Sequence, residues 1–466
     1  MKRVNDLISK YNKTDNYIVI SEFPSQMELN GNTGLSRYSQ NTISSLKKRL
    51  ANSNAGTIIL GNIVNGREEI YEQNGILVVR CFKRNSFRPF LKLIYFAYRF
   101  NKVKKVLFEF EFATYGNEKV SVSIPLILIA FKLLRKKIYF ALHQVVTDLT
   151  SLHSHLGLTK GSVKLSIINH VLNFFYFTVG VLSDKVIVLE DEFKQRLSKF
   201  VHNNKIEVIP HGIEKVKSNT NYKKENLGFK KNDFIILVFG YVAWYKGVDS
   251  IIRVFNKLPK SMYDRNLKLV IAGGKSAAQE GKKHYELYYN KITALVKANK
   301  NITLTGFLKE EDIEKYYQIA DLCAFPYKTF ISSSGPLSFA ISFKKPFILS
   351  KNLIGYLKSP DFSQSFDEAK LMAKDVFIDV TISHMKRAIS DVISNDIYVK
   401  KVNSFTNLLT RKRDWKTLSA RYYNLLFFDQ QSFQIGLAFK NLLNYRTYVI
   451  ISVFNIFKSI TRNIFT

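Results

Sequence analysis

The sequence predicts an α/β protein made of two doubly wound parallel-sheet domains that face a cleft, followed by a C-terminal helical extension. Short β-branched and aromatic runs alternate with helical patterns, and this alternation restarts after a polar stretch at 213–226. Alternating strands and helices indicate parallel sheets covered by helices on both faces. The length of 466 residues also exceeds what one compact core usually supports.

The first domain is predicted over residues 1–215. Its strands are expected at 17–21, 56–60, 76–81, 105–110, 137–142 and 185–189, and its helices at 37–51, 90–100, 122–135 and 162–182. The stretches 120–134 and 165–182 are apolar, but the first is short and contains Lys132, and the second contains Asn169, His170 and Asn173. A membrane span needs about 20 predominantly apolar residues, so both are expected to be buried helices of a large domain.

The second domain is predicted over 216–412, and the helical extension over 413–466. Its strands are expected at 233–239, 267–272, 302–305, 322–325 and 346–350, with helices at 250–257, 284–298 and 312–320. The two halves are therefore expected to be Rossmann-like. Ligands of such folds bind beyond the carboxyl ends of the strands.

Composition excludes two classes of protein. Apolar residues make up 46% and aromatic residues 14% of the chain, which is not a disordered composition. Only Cys81 and Cys323 occur, so a disulfide-stapled secreted domain is excluded. The N-terminus lacks the apolar region of a signal peptide, which indicates a cytoplasmic protein. The net charge of +33 has two open explanations, biased genome composition or anionic partners.

Two segments of the second half suit an anion. Lys246-Gly247 open a helix after the strand at 233–239, where a lysine beside helix amides can hold a phosphate. Ser334 is a good N-cap, Gly335 admits a ligand close to the backbone, and Pro336 suits a first turn. The alternatives are an exposed lysine and a simply capped surface helix.

The order of these segments makes a resemblance specific. The chain reads IPHGI from Ile209, FGYVAWYKG from Phe239, LVIAGG from Leu269, NITLTGFLKEEDIEKYYQIADLCAFPY from Asn301 and SSSGPLSFAISFKKPFILS from Ser332. This series resembles the nucleotide-sugar-binding domain of glycosyltransferase family 4. The first half agrees more loosely, through TGLSRYS, ALHQVV and SDKVIVLEDEFKQRL. The resemblance implies the GT-B fold, with an acceptor domain before a donor domain, and a retaining transfer from a nucleotide-sugar.

The resemblance also implies the roles of individual residues. Lys246 would hold the donor diphosphate, and Tyr241 stands after Gly240, where the family usually has a partner arginine. His143 would contact the donor sugar. The other donor-binding residues would be Gly34 facing the diphosphate, Gly273 and Gly274 flooring the pocket, Phe307 and Leu308 flanking the nucleobase, and the turn Ser334, Gly335, Pro336 and Leu337.

One departure from the family is sizeable. Two glutamates, eight positions apart, should fall at Ile331 and Phe339, and neither residue is acidic. Retention in this family is described as front-face attack that needs no carboxylate nucleophile. We therefore keep a transferase as the main hypothesis and a non-catalytic GT-B scaffold, binding a glycan or a partner, as the alternative.

The acceptor side is expected to meet a membrane. Residues 82–105 carry eight bases, seven aromatics and no acid, and 430–466 carry four bases and no acid. Interleaved bases and apolar residues suit a membrane interface, and packing against the body is the alternative for both. Glu111 could orient an acceptor hydroxyl or pair with a lysine. A glycan or lipid-linked acceptor in polysaccharide biosynthesis is expected, with no nucleic acid, cofactor or metal.

Overall fold

The first of two parallel sheets has eight strands in the order β3-β4-β2-β1-β5-β6-β7-β8, parallel except for the β3–β4 pair. The computed structural model describes residues 2–24, 34–64, 66–86, 90–116, 118–216, 221–276 and 279–428. The strands are β1 (Tyr17–Ser21), β2 (Thr57–Asn62), β3 (Glu69–Gln73), β4 (Ile76–Phe82), β5 (Lys105–Phe110), β6 (Lys137–Leu142), β7 (Lys185–Val188) and β8 (Ile206–Val208).

Helices cover both faces of this sheet. They are α1 (Lys2–Tyr11), α2 (Gly34–Arg49), α3 (Lys92–Arg99), α4 (Phe112–Tyr115), α5 (Glu118–Leu133), α6 (His153–Leu156), α7 (Val163–Leu182) and α8 (Asp191–Leu197). Ile18 and Ile20 of β1 face the core shared with α3, α5 and α7, whereas Tyr17 and Val19 face α2. This alternation explains why the strand is a continuous apolar run from Tyr17 to Ile20.

The second sheet repeats the design with the strand order β10-β11-β9-β13-β14-β15, and β12 pairs with β11. Its strands are β9 (Asp233–Phe239), β10 (Ser261–Met262), β11 (Arg265–Ala272), β12 (Ile302–Leu304), β13 (Leu322–Phe325), β14 (Phe347–Ser350) and β15 (Phe377–Ile378). Its helices are α9 (Val248–Phe255), α10 (Lys283–Lys297), α11 (Glu310–Ile319), α12 (Gly335–Ser342), α13 (Pro360–Glu368), α14 (Ala373–Val376), α15 (Ile382–Ser394) and α16 (Asp396–Lys412). The predicted two-domain α/β fold is confirmed.

The C-terminal helix α17 (Trp415–Phe427) returns to the first domain and packs on α2. The hydroxyls of Tyr38 and Tyr422 lie 2.6 Å apart, and Leu418 and Leu426 join the core below β1. The predicted helical extension is therefore present up to Phe427. The basic segment 430–466 lies outside the described residues.

The expectation that α5 and α7 are simply buried is wrong in part. Leu165, Leu172 and Phe175 of α7 pack inward, but only 39% of its apolar window is buried. It is the single helix among the described residues that is long and apolar enough to cross a membrane. Both faces of α7 are apolar, so periodicity could not show which side lies outside.

The topology places two loops at one cleft. In the first sheet β1 lies between β2 and β5, and in the second β9 lies between β11 and β13. At each of these two strands the strand order changes direction, so the connections on its two sides run to opposite edges of the sheet. A crevice forms at such switch points. Gly34, the first residue of α2, and the loop after Gly240 therefore face the same space.

Candidate active site in the interdomain cleft

A cavity of about 680 Å³ lies between the two sheets. Both domains line it, and every predicted site residue except Leu337 does so. The lining residues among them are Gly34, Glu111, His143, Gly240, Tyr241, Lys246, Gly273, Gly274, Phe307, Leu308, Ser334, Gly335 and Pro336. Leu337 is buried behind them, where its amide donates to Ser334 Oγ at 3.2 Å.

Lys246 is a buried residue in the wall of this cavity. It ends a single helical turn, Trp244–Lys246, after which Gly247 takes a φ of 70° and starts α9. Its ammonium lies against Gly240, where a Cβ would collide with Nζ. Burial lowers the pKa of Lys246 to about 8, and nearby Glu111 opposes this shift. A buried cation that forms no ion pair among the described residues is well placed for an anionic ligand.

Two glycines form the floor beside this lysine. A Cβ on Gly273 would overlap the carbonyl oxygen of Gly240, and a Cβ on Gly274 would lie 2.6 Å from the amide nitrogen of Phe307. The Gly274 carbonyl accepts from Val242 N at 2.9 Å. Only glycine therefore lets the three loops pack this closely.

The N-terminus of α12 points at the same space. Ser334 caps it through Leu337 N, and Tyr356 OH accepts from the amide of Ser334 at 2.8 Å. Tyr317 OH donates to the carbonyl of Pro336 at 2.7 Å. Helix N-terminal amides favour negative charge, so this rigidly held turn complements Lys246.

Tyr241 does not provide the cation that the resembled family has at this position. Its ring stacks with Phe307 at a centroid distance of 6.2 Å and an interplanar angle of 28°. Phe307 is 51% exposed at the cavity rim, next to Leu308. The pair offers apolar faces on which a flat ring could pack.

Arg37 and Arg84 supply further cations from the first domain, and sequence analysis assigned neither a role. Arg37 Nη2 lies 2.7 Å from Glu214 Oε2, and its Nη1 lies 2.6 Å from Glu310 Oε1 across the cleft. Arg84 lines the cavity, and its Nε is buried without a hydrogen-bond partner among the described residues. The sequence shows that 82–105 is rich in bases, but it does not show that Arg84 faces the cavity.

A second missed feature is a buried pair behind the cavity. His143 Nε2 lies 2.6 Å from Glu109 Oε2, and the Glu109 side chain is fully buried. Tyr38 packs edge-on against the His143 ring at 4.5 Å. Glu109 therefore fixes the orientation of the imidazole from the side opposite the cleft.

Glu111 lies at the junction of the two domains. Gln144 Nε2 donates to its Oε1 at 2.8 Å. Burial raises the pKa of Glu111, while His143, Lys246 and Arg84 act in the opposite direction. The carboxylate thus lies close to three basic side chains inside the cavity. Among the described residues Glu111 forms no salt bridge with a lysine, and its role in orienting an acceptor stays a prediction.

The two positions where glutamates were expected are filled by packing residues. The carbonyl of Ile331 accepts from Val145 N at 3.1 Å and so ties the two domains together. The ring of Phe339 lies under the Arg37 guanidinium, 4.6 Å from its centre. Among the described residues, no group of three His, Cys, Asp or Glu side chains could hold a metal ion.

Comparison with known proteins relates part of the second domain to a family. The family model described as glycosyl transferases group 1 matches residues 219–356. These residues are therefore similar to a group 1 glycosyl transferase domain. The match covers the Lys246 loop, both floor glycines and the N-terminus of α12. The predicted resemblance and the predicted class of enzyme, a glycosyltransferase, are thereby confirmed.

Two curated proteins resemble parts of this chain. Alpha-galactosylglucosyldiacylglycerol synthase of Streptococcus pneumoniae is 25% identical over 177 residues, which is 36% of this chain and 44% of the relative. Alpha-monoglucosyldiacylglycerol synthase of Acholeplasma laidlawii is 24% identical over 144 residues, 29% of this chain and 34% of the relative. The chain thus matches less than half the length of each.

Solved structures share the whole fold. Trehalose-6-phosphate synthase OtsA has a TM-score of 0.63 at 9% identity and covers 90% of this chain and 99% of its own. Anabaena HepE in complex with UDP-glucose has a TM-score of 0.57 at 13% identity, over 88% of this chain and 99% of its own. Identities this low show the fold alone, and the predicted GT-B architecture is confirmed.

Proposed function

We propose that the protein is a retaining glycosyltransferase that moves a sugar from a nucleoside-diphosphate sugar to a hydroxyl of a lipid-linked or cell-surface glycan. The observation that carries this proposal is the convergence of Lys246 and the N-terminus of α12 in one cavity. That HepE was solved with UDP-glucose supports a nucleotide-sugar as donor.

The proposed chemistry centres on the leaving diphosphate. Negative charge grows on it as the glycosidic bond breaks, and the buried ammonium of Lys246 and the α12 amides stabilise that charge without reorganising. The leaving phosphate takes the proton of the acceptor on the same face of the sugar, which retains the configuration. No step requires a resident metal, so EDTA is expected to leave the rate unchanged.

The first domain is proposed to position the sugar and the acceptor. His143, held by Glu109, contacts the donor sugar. Glu111 accepts a hydrogen bond from the acceptor hydroxyl and orients it. The names of both curated relatives, synthases of glycosylated diacylglycerols, support a lipid-linked acceptor. A place on the cytoplasmic face of a membrane and a part in polysaccharide biosynthesis follow as proposals.

A thermal-shift screen of nucleotide-sugars tests the donor side, because a bound ligand raises apparent stability by mass action. We expect a shift with at least one nucleotide-sugar and its loss in Lys246→Met. Transfer to a glycolipid acceptor, with the product anomer assigned by NMR, tests reaction and retention. An inverted product, or wild-type turnover in Lys246→Met, would refute the proposed mechanism.

A non-catalytic scaffold is the second candidate, and the apolar residues Ile331 and Phe339 favour it. A scaffold of this kind binds a glycan or a partner transferase but neither hydrolyses nor transfers the donor. Donor binding without turnover, for every acceptor that binds, would select it. Turnover abolished by Lys246→Met would reject it.

A further inference from the structure

One end of the cavity is apolar and is not explained by a donor. Beside α7, Phe112, Leu152, Leu156, Ile168, Val171 and Phe175 line it, and we call this part the apolar lobe. Ile168, Val171 and Phe175 lie on one face of α7, at helical spacing. Glu111 precedes Phe112, so the lobe begins next to the carboxylate proposed to orient the acceptor.

The lobe borders a second apolar face of the same helix. Val163, Ile167, Val171 and Phe174 of α7 are 46%, 52%, 41% and 49% exposed and recur at spacings of four, four and three residues. Val171 belongs to both sets, since it lines the cavity and is exposed. The lobe and the outer surface of α7 therefore meet at Val171.

Neighbouring helices extend this outer surface. α5 packs against α7 and α3, and its Leu126, Ile129 and Leu133 are exposed. Tyr95 and Tyr98 of α3 are exposed as well. All three helices cover the same side of the first sheet, so their outer sides form one surface. A contiguous apolar surface of this kind marks an interaction site.

The charge around this surface is positive. α3 and α7 contain no Asp or Glu. Lys102, Arg135, Lys160 and Lys164 are exposed at the ends of the three helices. Exposed lysines and arginines around apolar side chains complement the headgroups of an anionic bilayer. An acidic protein partner would complement the same charge. The apolar lobe behind the surface favours a lipid, because it can hold a hydrocarbon chain.

We infer that the apolar lobe holds the hydrocarbon chain of a membrane lipid acceptor, which enters past Val171 from an anionic bilayer contacted by α3, α5 and α7. That this lipid is the acceptor of the reaction rests on the proposed function. It assigns the acceptor class by its chain: the reacting hydroxyl lies at Glu111 and the hydrocarbon lies in the lobe. Glycans without such a chain would fill only the polar part of the cavity.

Alkyl glucosides of increasing chain length test the lobe. Hexyl, octyl and decyl β-glucoside are titrated into the full chain below their micellar concentrations, with calorimetric detection. Each two added methylenes should tighten binding by up to about 15-fold if they enter a dry apolar site. Val171→Trp, at an exposed position, should flatten this series by blocking the opening, whereas Ile397→Trp on α16 should not.

Vesicle flotation tests the surface. The full chain should float with vesicles of phosphatidylglycerol and phosphatidylcholine and much less with phosphatidylcholine alone. Ile167→Asp should weaken this partitioning on the order of 10-fold or more, because an apolar side chain no longer enters the bilayer. Ile397→Asp, also at an exposed position but in the second domain, is the matched control and should float like the wild type.

The outcomes separate this inference from the proposed function. A flat glucoside series, or one that Val171→Trp leaves steep, would overturn the lobe assignment. Flotation unchanged in Ile167→Asp would overturn the assignment of this surface to the bilayer. The surface would then be a contact for residues 429–466 or for a protein partner. A thermal shift with UDP-glucose in the same preparations reports on the donor site alone, so either site can fail separately.

Discussion

At the scale of single residues, Lys246 carries a charge that burial makes costly. Its pKa falls to about 8 from an ordinary value of 10.5. The unfolded chain therefore binds more protons between these values, and the cost of Lys246 to folding declines as pH rises through that window. The proposed donor binding would have the opposite dependence, because it requires the ammonium.

We therefore expect the affinity for the donor to weaken as pH rises above about 8. Lys246→Met should weaken binding about 10- to 100-fold at pH 7, as for loss of a charged hydrogen bond. The variant should also lose the pH dependence. Calorimetric titrations from pH 6.5 to 9.5 measure both, and the same slope in both proteins would contradict this role.

Among the described residues, Glu109 lies behind the cleft and contacts its lining through His143. Glu109→Gln keeps the shape of the side chain but replaces the carboxylate beside the imidazole with an amide. We expect kcat to fall about 10- to 100-fold, because the hydrogen bond that orients His143 is weakened. Donor affinity and the melting temperature should change little.

Glu286→Gln is a suitable control for that substitution. Its carboxylate pairs with Lys275 at 2.7 Å on the surface of the second domain. An equal effect of both substitutions on kcat, or a Glu109→Gln effect confined to stability, would show that Glu109 is merely structural.

At the scale of elements, α12 combines a structural cap with a proposed binding turn. Ser334→Ala should cost about 1 kcal/mol of stability, as N-cap losses do, and should also weaken donor binding. Asn395→Ala removes a comparable cap, from the amide of Tyr398 on α16. Denaturant unfolding should show similar losses for both, and only Ser334→Ala should change the donor affinity.

The elements also show what the sequence could predict. Strands such as β1, β5, β9 and β13 were expected with their observed bounds, because buried parallel strands are continuous apolar runs with clear ends. The short β3 and β10 were not, since Glu69–Gln73 is polar and Ser261–Met262 has two residues. Tertiary pairing alone makes them strands.

The candidate site likewise contains residues that the sequence could predict and residues that it could not. Lys246, Gly273 and the Ser334 turn belong to local motifs, so their meeting in one cleft follows from topology. Glu109 and His143 are 34 positions apart, and Arg37 meets Glu310 across 273 positions. No local pattern encodes such pairs, because they depend on strand neighbours and on the approach of two domains.

At the scale of the whole molecule, a buried ionic cluster joins the domains. Arg413 bonds Glu190 of the first domain at 2.7 and 2.9 Å and Asp361 of the second at 2.6 Å. Burial alone would raise the pKa of Asp361, but Arg413 lowers it overall. The contribution of Asp361 to stability is therefore present above its usual pKa and is lost in acid.

Arg413→Met should destabilise the protein by about 3–5 kcal/mol, because it leaves the fully buried Glu190 and the partly buried Asp361 without their cation. Lys412→Met, next to it, removes only a partly exposed pair with Glu368 and should cost less than about 1 kcal/mol. Denaturant unfolding at pH 7 measures both. Equal small effects would mean that the cluster contributes no net stability.

The chain crosses between the domains twice, and the crossings lie side by side. Ile213 N donates to the carbonyl of Arg413 at 2.8 Å, and Ile213 pairs with Asp414 in a parallel bridge. Two adjacent connections form a hinge, and the rotation of one domain against the other that they oppose least is about the line that joins them. A single proteolytic cut at either crossing would not separate the two domains, since the other connection and the packing of α17 still hold them together.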